Sequence, residues 1–350
     1  MRWLGFDVTS RGRVLAAVLG SAAIILAACG GGGDGAPPAS EGPAAPRSGA
    51  YPLSVVDDTG TEVRLTAPPT RVIALLPSVT DLLIDLDLAA RVVGTDDFSL
   101  SDPALAGLPS VGGNNFVFSI EVATTLEPDL IVAASGGTEQ FVEQARTLGL
   151  PTIVLDFPAN VEQMLEQIRF LGEVFGIVDA AGALASDLQA RLDRVTEAVA
   201  DRDRVRVYLE VDQSTPTQPF SVGPGSLHHD VLTLAGGENI FADVGSAFPQ
   251  VNWEVIISGD PDVILLLDST DFADELAFNP VSVEEVAARS GWDQIRAVRE
   301  GRIVPLPSDL FNVGRQLVDA VERVAEVLAE ARSKTSADWR SAAGRAQWAA

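Results

Sequence analysis

The segment S-I-E-V-A-T-T-L-E-P-D-L-I-V at residues 119–132 returns without a gap as N-W-E-V-I-I-S-G-D-P-D-V-I-L at residues 252–265. In both copies Glu-Val is followed, after an identical interval, by an acidic residue, then Pro-Asp, then an apolar run. The apolar runs alone carry little information in a chain that is 47% hydrophobic. The matched Glu121 and Glu254, with matched Pro-Asp steps behind them, carry more, and they indicate an internal repeat of one structural unit. Each copy has the same local reading. The glutamate falls near the start of a short helix, where the positive end of the helix dipole favours a carboxylate. Pro-Asp ends that helix, and the apolar run enters a sheet as a strand.

Working outward, D-D-T-G at residues 57–60 sits inside an alternating stretch and predicts a hairpin turn between two short strands. Buried-type strands are predicted at residues 71–76, 92–95, 130–133 and 152–155. Helical periods at 79–88, 120–126 and 141–148 separate them. From residue 161 to about residue 200 the period is helical throughout, with Gly176 and Gly182 as places where it can break. Alternation resumes at 204–211 and continues through 231–235, 255–258, 263–267, 283–288 and 303–306 to a last helix at 317–331. Such alternation predicts an α/β fold: two similar lobes, each with a mostly parallel central sheet flanked by helices, joined by a long helical segment. The expected boundaries are an N-terminal lobe at 51–158, a bridge at 159–202, a C-terminal lobe at 203–335 and a loosely held tail at 336–350.

Composition narrows the function. Acidic residues outnumber basic ones by 49 to 24, for a net charge of -25, so nucleic acid is not an expected partner. Cys29 is the only cysteine and His228 and His229 the only histidines. An intramolecular disulfide, a Cys/His zinc site and a three-histidine metal site are therefore excluded. Both histidines lie in one dipeptide, which offers no Ser-His-Asp arrangement. The glycines near Gly94 and Gly112 lack a dinucleotide-loop context, and S-V-G-P-G-S at 221–226 lacks the lysine of a phosphate loop. The expectation is a non-enzyme without a cofactor or bound metal of its own.

The N-terminus reads as an address. Arg2, Arg11 and Arg13 precede an apolar run at 14–28 that is short for a membrane span and ends in small residues. L-A-A-C at 26–29 resembles the bacterial lipoprotein box. It implies a signal peptide at 1–28, cleavage before Cys29 and lipid on its sulfur. Residues 29–50, rich in Gly, Pro and Ala, read as a flexible tether.

Several ordered segments resemble the cobalamin, iron-siderophore and haem solute-binding proteins of ABC importers (periplasmic binding proteins of the helical-backbone class). They are R-V-I-A-L-L-P-S-V-T-D-L-L from Arg71, R-V-V-G-T-D-D-F-S from Arg91, the first repeat copy, G-G-E-N-I-F at 236–241 and P-Q-V-N-W-E-V-I at 249–256. The resemblance covers about residues 53–330. It implies a rigid bridging helix, a ligand held in the cleft between the lobes, and one surface glutamate per lobe, Glu121 and Glu254, docking onto arginines of a dimeric permease. Helix-terminus electrostatics alone would give those glutamates about 0.3–1 kcal/mol each.

The loops after strand ends then supply the cleft candidates: Pro77, Ser78, Phe98, Asn114, Asn115, Phe116, Phe248, Asp309, Phe311 and Arg315. The cobalamin-binding branch carries aromatics in these loops, which selects Phe98, Phe116, Phe248 and Phe311, with ordinary core packing as the alternative for each. Asn115 stands where that branch carries an aromatic. Arg315 would pair with an anionic ligand group or simply face solvent. One of His228 and His229 would ligate haem iron or fill a half-buried helix start. The expected protein is a monomeric, lipid-anchored, extracytoplasmic carrier of a cobalamin-like or ferric-siderophore ligand. Its alternatives are a haem carrier and a surface receptor or sensor with no transporter.

Overall fold

Apolar runs bounded by turn residues become two parallel sheets in the computed structural model of the chain, which describes residues 51–215, 217–272 and 280–333. The expected signal peptide, Cys29, the tether and the 336–350 tail lie outside the described residues. A hairpin of β1 (Leu53–Val56) and β2 (Glu62–Leu65) comes first. Its turn is built by Asp57, whose Oδ1 accepts from the backbone N–H of Thr59 and Thr61 at 3.1 and 2.9 Å.

The first sheet follows: β3 (Val72–Leu75), α1 (Pro77–Asp85), β4 (Val92–Thr95), α2 (Ile120–Thr125), β5 (Leu130–Ala134), α3 (Glu139–Thr147) and β6 (Thr152–Leu155). Its strands lie in the order β4-β3-β5-β6, all parallel. The predicted strands 92–95 and 152–155 are matched residue for residue.

The forty-residue helical stretch is two helices, α4 (Val161–Phe175) and α5 (Val178–Val199). Gly176 breaks it with φ of 68°, a left-handed conformation that terminates helices. Gly182, the other predicted break, lies inside α5. The turn packs on the start of the N-terminal lobe, where Tyr51 Oη donates to Val174 O at 2.7 Å. From there α5 runs 22 residues, about 33 Å, back to the far side of the second lobe, where Val199 meets Gly236.

The second sheet uses β7 (Val205–Asp212), β8 (Phe220–Ser221), α6 (Leu227–Leu234), β9 (Gly237–Asn239), α7 (Trp253–Gly259), β10 (Val263–Leu266), α8 (Val283–Ala287), α9 (Arg296–Glu300) and β11 (Ile303–Pro305); α10 (Arg315–Ser333) closes the fold. Its parallel core runs β9-β7-β10-β11, the same second-first-third-fourth order as in the first lobe, with β8 added antiparallel on β7.

Side-chain alternation decides how the lobes join. Val72 and Ala74 of β3 and Val207 and Leu209 of β7 face one continuous core that also contains Met164, Leu188, Val321 and Val324 from α4, α5 and α10. Ile73 and Leu75 face a separate outer core of the first lobe, and Tyr208 and Ile264 one of the second. The two inner faces thus share a single apolar interior. Arg191 of α5 adds ion pairs to Asp319 and Glu322 of α10 at 2.5 and 2.7 Å. A large hinge motion would have to open that interior to water, so the lobes are held near one relative position.

Candidate functional site

In a sheet of this strand order, the crevice lies beyond the carboxyl ends of the strands where the chain reverses direction. In the first lobe that place is between β3 and β5. Leu76 leaves β3 with φ of 76°, an unfavourable conformation for a branched side chain. Asp96, fully buried at the end of β4, compensates. Its Oδ2 accepts from Leu76 N at 2.6 Å and Ser99 Oγ at 2.8 Å, and its Oδ1 accepts from Phe98 N at 2.9 Å and Ser99 N at 3.1 Å. One carboxylate therefore fixes both the Pro77-Ser78 turn and the Phe98 loop. Asp97 fixes the next loop, accepting from Ser110 Oγ at 2.5 Å and Asn114 N at 3.2 Å. Beyond it, Asn115 and Phe116 both have positive φ, 54° and 58°. This backbone strain presents the Phe116 ring, 53% exposed, beside Phe98 with centroids 6.2 Å apart.

Opposite these loops stand residues of the second lobe. Ser226 caps α6, its Oγ accepting from His229 N at 3.2 Å, and this aims His228 at the crevice. The His228 ring stacks on Phe311 (centroids 5.1 Å, interplanar angle 6°) and meets Phe248 edge-on at 5.7 Å. Its Nδ1 is buried without a hydrogen-bond partner. Burial pushes its pKa down to about 4, so the ring is neutral at physiological pH. Between the lobes lies a cavity of about 440 Å³, lined from the first by Leu76, Pro77, Ser78, Phe98, Phe116, Ser135 and Phe157, and from the second by His228, Ser308, Phe311, Asn312 and Val313. Among its described lining residues no lysine, arginine, aspartate or glutamate occurs.

Five of the sequence-derived candidates (Pro77, Ser78, Phe98, Phe116 and Phe311) thus come together, and His228 joins them. The others fall elsewhere. Asn115 is exposed and outside the lining, and Phe248 reaches it only through His228. Asp309 is exposed on the turn before α10. Arg315 is engaged by Asp85 of the first lobe, Nε to Oδ1 at 3.2 Å and backbone N to Oδ2 at 2.7 Å, and does not face the cavity. His229 is turned to Asn239, 3.0 Å from its side-chain nitrogen. Glu121 and Glu254 are exposed in the first turns of α2 and α7, behind matching caps: Ser119 Oγ accepts from Val122 N at 3.2 Å, and Asn252 Oδ1 accepts from Val255 N at 3.0 Å.

The sequence profile of the periplasmic binding protein family matches residues 72–310, which takes in every strand from β3 to β11. The chain belongs to that family. Periplasmic binding proteins capture solutes, and this chain is accordingly a binding protein and not an enzyme. It is 27% identical over 321 residues to a cobalamin-binding protein of Halobacterium salinarum, covering 90% of this chain and 84% of the relative. It is 24% identical over 290 residues to the uncharacterized ABC transporter substrate-binding lipoprotein YvrC of Bacillus subtilis, covering 81% and 87%. Among solved structures, the periplasmic vitamin B12 binding protein BtuF of Vibrio cholerae superposes with a TM-score of 0.62 at 24% identity, over 76% of this chain and 99% of that one. At that identity the structural match shows a shared fold.

Phe157, 47% exposed just past β6, and Asn312 both line the cavity. Phe157 follows a strand end, as the accepted candidates do, and that signal was available. Asp96 is invisible as a site residue because it holds Leu76 N and the Phe98–Ser99 turn in place and does not itself line the cavity. T-D-D-F-S, an aspartate with a turn behind it, was its one sequence mark.

Proposed function

We propose that this chain is a lipid-anchored, extracytoplasmic binding protein that captures a large, neutral, corrinoid-like ligand between its lobes and delivers it to an ABC importer, a ferric siderophore being the second ligand class. The observation that carries the reading is the cavity itself: aromatic faces from both lobes converge on it with hydroxyl, amide and imidazole groups and no charged side chain among the described lining residues. Flat aromatic walls suit a macrocycle, and a few neutral polar groups suit its amide rim. Haem would bring two carboxylates into a cleft whose described lining offers no cation, inside a chain of net charge -25. The shared interior supports capture with little lobe movement, and the matched Glu121 and Glu254 support docking by one carboxylate per lobe on a two-fold permease. Cys29 carries the lipid in this reading, and the carrier works as a monomer.

Isothermal titration of the purified chain with cobalamin, a ferric hydroxamate, a ferric catecholate and haem tests the ligand class. Cobalamin should bind; haem binding alone would overturn the charge argument, and no heat from any of them would sink the ligand range. Replacing Glu121 and Glu254 together by Ala should leave ligand affinity intact while abolishing stimulation of the cognate ATPase. Labelling of cells with a radioactive fatty acid should mark the wild-type chain and not Cys29→Ser. Light scattering should give one chain per particle.

A further inference from the structure

The two helices that carry Glu121 and Glu254 are too short to hold themselves. α2 has 6 residues and α7 has 7, well below the roughly 12–15 at which a helix stands on its own hydrogen bonds. Ser119 and Asn252 close their first turns. Their last carbonyls are closed from outside, by Arg71 one residue before β3 and by Arg206 in β7. Each arginine directs Nε and Nη2 at the end of its helix, at distances from 2.6 to 3.1 Å.

The Pro-Asp step ties each helix end back to the strand that supplies the arginine. Asp129 accepts from Thr70 N and Thr70 Oγ1, both at 2.8 Å, and its own N–H donates to Arg71 O at 2.9 Å. Asp262 N–H donates to Arg206 O at 2.8 Å, and Asp262 Oδ1 pairs with Arg296 at 2.6 Å. Strand entrance, arginine, helix end and aspartate thus close a ring in each lobe. Within it the chain takes left-handed φ at two non-glycine residues, Glu127 and Asp260, a conformation that persists only where its surroundings fix it. Both arginines are exposed, and neither lines the ligand cavity. Exposed hydrogen bonds add little net stability. What the ring does fix is the angle of each short helix to its sheet.

We propose that Arg71 and Arg206 are the positioning residues for Glu121 and Glu254 in docking. Each holds its helix at one angle, so that both carboxylates meet a two-fold partner at once. Two-point docking depends on this, because the second contact strengthens the first only when the geometry lets both form together. A lobe whose helix is free to tilt leaves the carrier held by one glutamate.

The link to docking rests on the reading of Glu121 and Glu254 given above; the hold on the helices does not. Hydrogen exchange on the full chain tests the hold. Amides at residues 123–127 should exchange about tenfold faster in Arg71→Ala, and those at 256–260 in Arg206→Ala, while β5 and β10 stay protected. Binding to the cognate importer in lipid nanodiscs tests the link. Each arginine variant should weaken it about tenfold, and Arg71→Lys, which keeps one donor, should recover part of the loss. In a Glu121→Ala background, Arg71→Ala should weaken it no further, since no carboxylate is left to aim. Unchanged exchange at both helices overturns the proposal. Faster exchange with full importer affinity, where Glu121→Ala alone does weaken binding, overturns the link and leaves the docking reading standing. Additive losses in the double variant overturn it too, because the arginine would then act on the importer by itself. Full importer affinity after loss of both glutamates rejects the docking reading, and with it any docking role for the arginines.

Discussion

At the entrance of β3, Arg71 donates Nε to Glu127 O at 3.0 Å and Nη2 to Leu126 O at 2.6 Å, while Asp129 accepts the Arg71 backbone N–H at 3.0 Å. At the entrance of β7, Arg206 donates Nε and Nη2 to Gly259 O at 3.1 and 2.6 Å, and Asp262 accepts the Arg206 N–H at 3.2 Å. The helices so clamped both end in a non-glycine left-handed residue, Glu127 at 45° and Asp260 at 39°. Cap, glutamate, left-handed stop, Pro-Asp and arginine clamp recur in one order. At the opposite, carboxyl ends of the same strands the likeness stops. The N-terminal lobe leaves its crevice open over Pro77, Ser78 and Ser135. The C-terminal lobe fills the corresponding place: Arg289 bridges both oxygens of buried Glu210 at 2.7 and 2.6 Å, reaches Gln213 at 2.5 Å and lies 4.5 Å over the Trp292 ring. The difference teaches that the repeat preserves the outer ends, which carry Glu121 and Glu254, and that the inner ends have diverged into a floor and a plug.

The plug offers the largest effect by which to break this comparison. Arg289→Met leaves Glu210, with a fully buried side chain, without its counter-charge, and the expected loss is about 3–5 kcal/mol in denaturant unfolding. Arg71→Ala removes the exposed clamp of the other lobe and should cost about 1 kcal/mol. Equal losses would mean that the plug is not structural. Phe311 and Phe116 come next. Phe311 is 3% exposed, and Phe311→Ala should cost about 3 kcal/mol of stability as well as ligand affinity. Phe116→Ala should leave stability within about 0.5 kcal/mol and weaken ligand binding tenfold or more, about 1.4 kcal/mol or above. A thermal melt and a titration on each variant separate a packing residue from a contact residue.

The frame was legible because it is local. Capping residues, Pro-Asp and strand runs act within a few positions of themselves, so both copies could be aligned and both sheets placed from residues 119–132 and 252–265. The cleft was half legible. Aromatics after strand ends, such as Phe98 and Phe116, announce themselves by position. Arg315 looked available to a ligand because its partner Asp85 lies 230 residues away. Asp96 reaches back to Leu76 of another loop, and Arg289 finds Glu210 at a separation of 79 residues. Such pairings are made by the fold and leave no spacing to read. The continuous interior beneath both sheets was hidden for the same reason, since α5 and α10 display apolar stripes without saying which lobe they serve.

A pH series adds a smaller, signed effect. His228 is held near 4, below its ordinary 6.5, by burial. In that window the unfolded chain binds a proton that the folded one does not, so stability is present above pH 6.5 and is lost as pH falls toward 4. Asp268, beside the plug, is pushed the other way, to about 7, by burial and by Glu210. It is protonated in the folded chain between its unfolded value of 3.8 and 7, so stability falls as pH rises through that range. His228→Phe should flatten the acid limb of a melting-temperature profile, and Asp268→Asn should raise the melting temperature at pH 8. Reversed signs would contradict the burial of either group.

The smallest effect bears most directly on the repeat. Ser119→Ala and Asn252→Ala each remove the cap of a short helix that begins one position before Glu121 or Glu254, and each should cost about 1 kcal/mol. They are not identical. Ser119 Oγ also lies 3.1 Å from Glu121 Oε2 and donates to it, whereas the Asn252 side chain is held to Val255 N. Loss of the serine therefore frees the Glu121 carboxylate as well as the helix end; loss of the asparagine loosens only the helix. Equal stability losses with a larger drop in ATPase stimulation for Ser119→Ala would mean that the cap aims the glutamate. Equal drops in both would mean that helix integrity alone presents it, and the two lobes would then be equivalent at the one surface where equivalence matters.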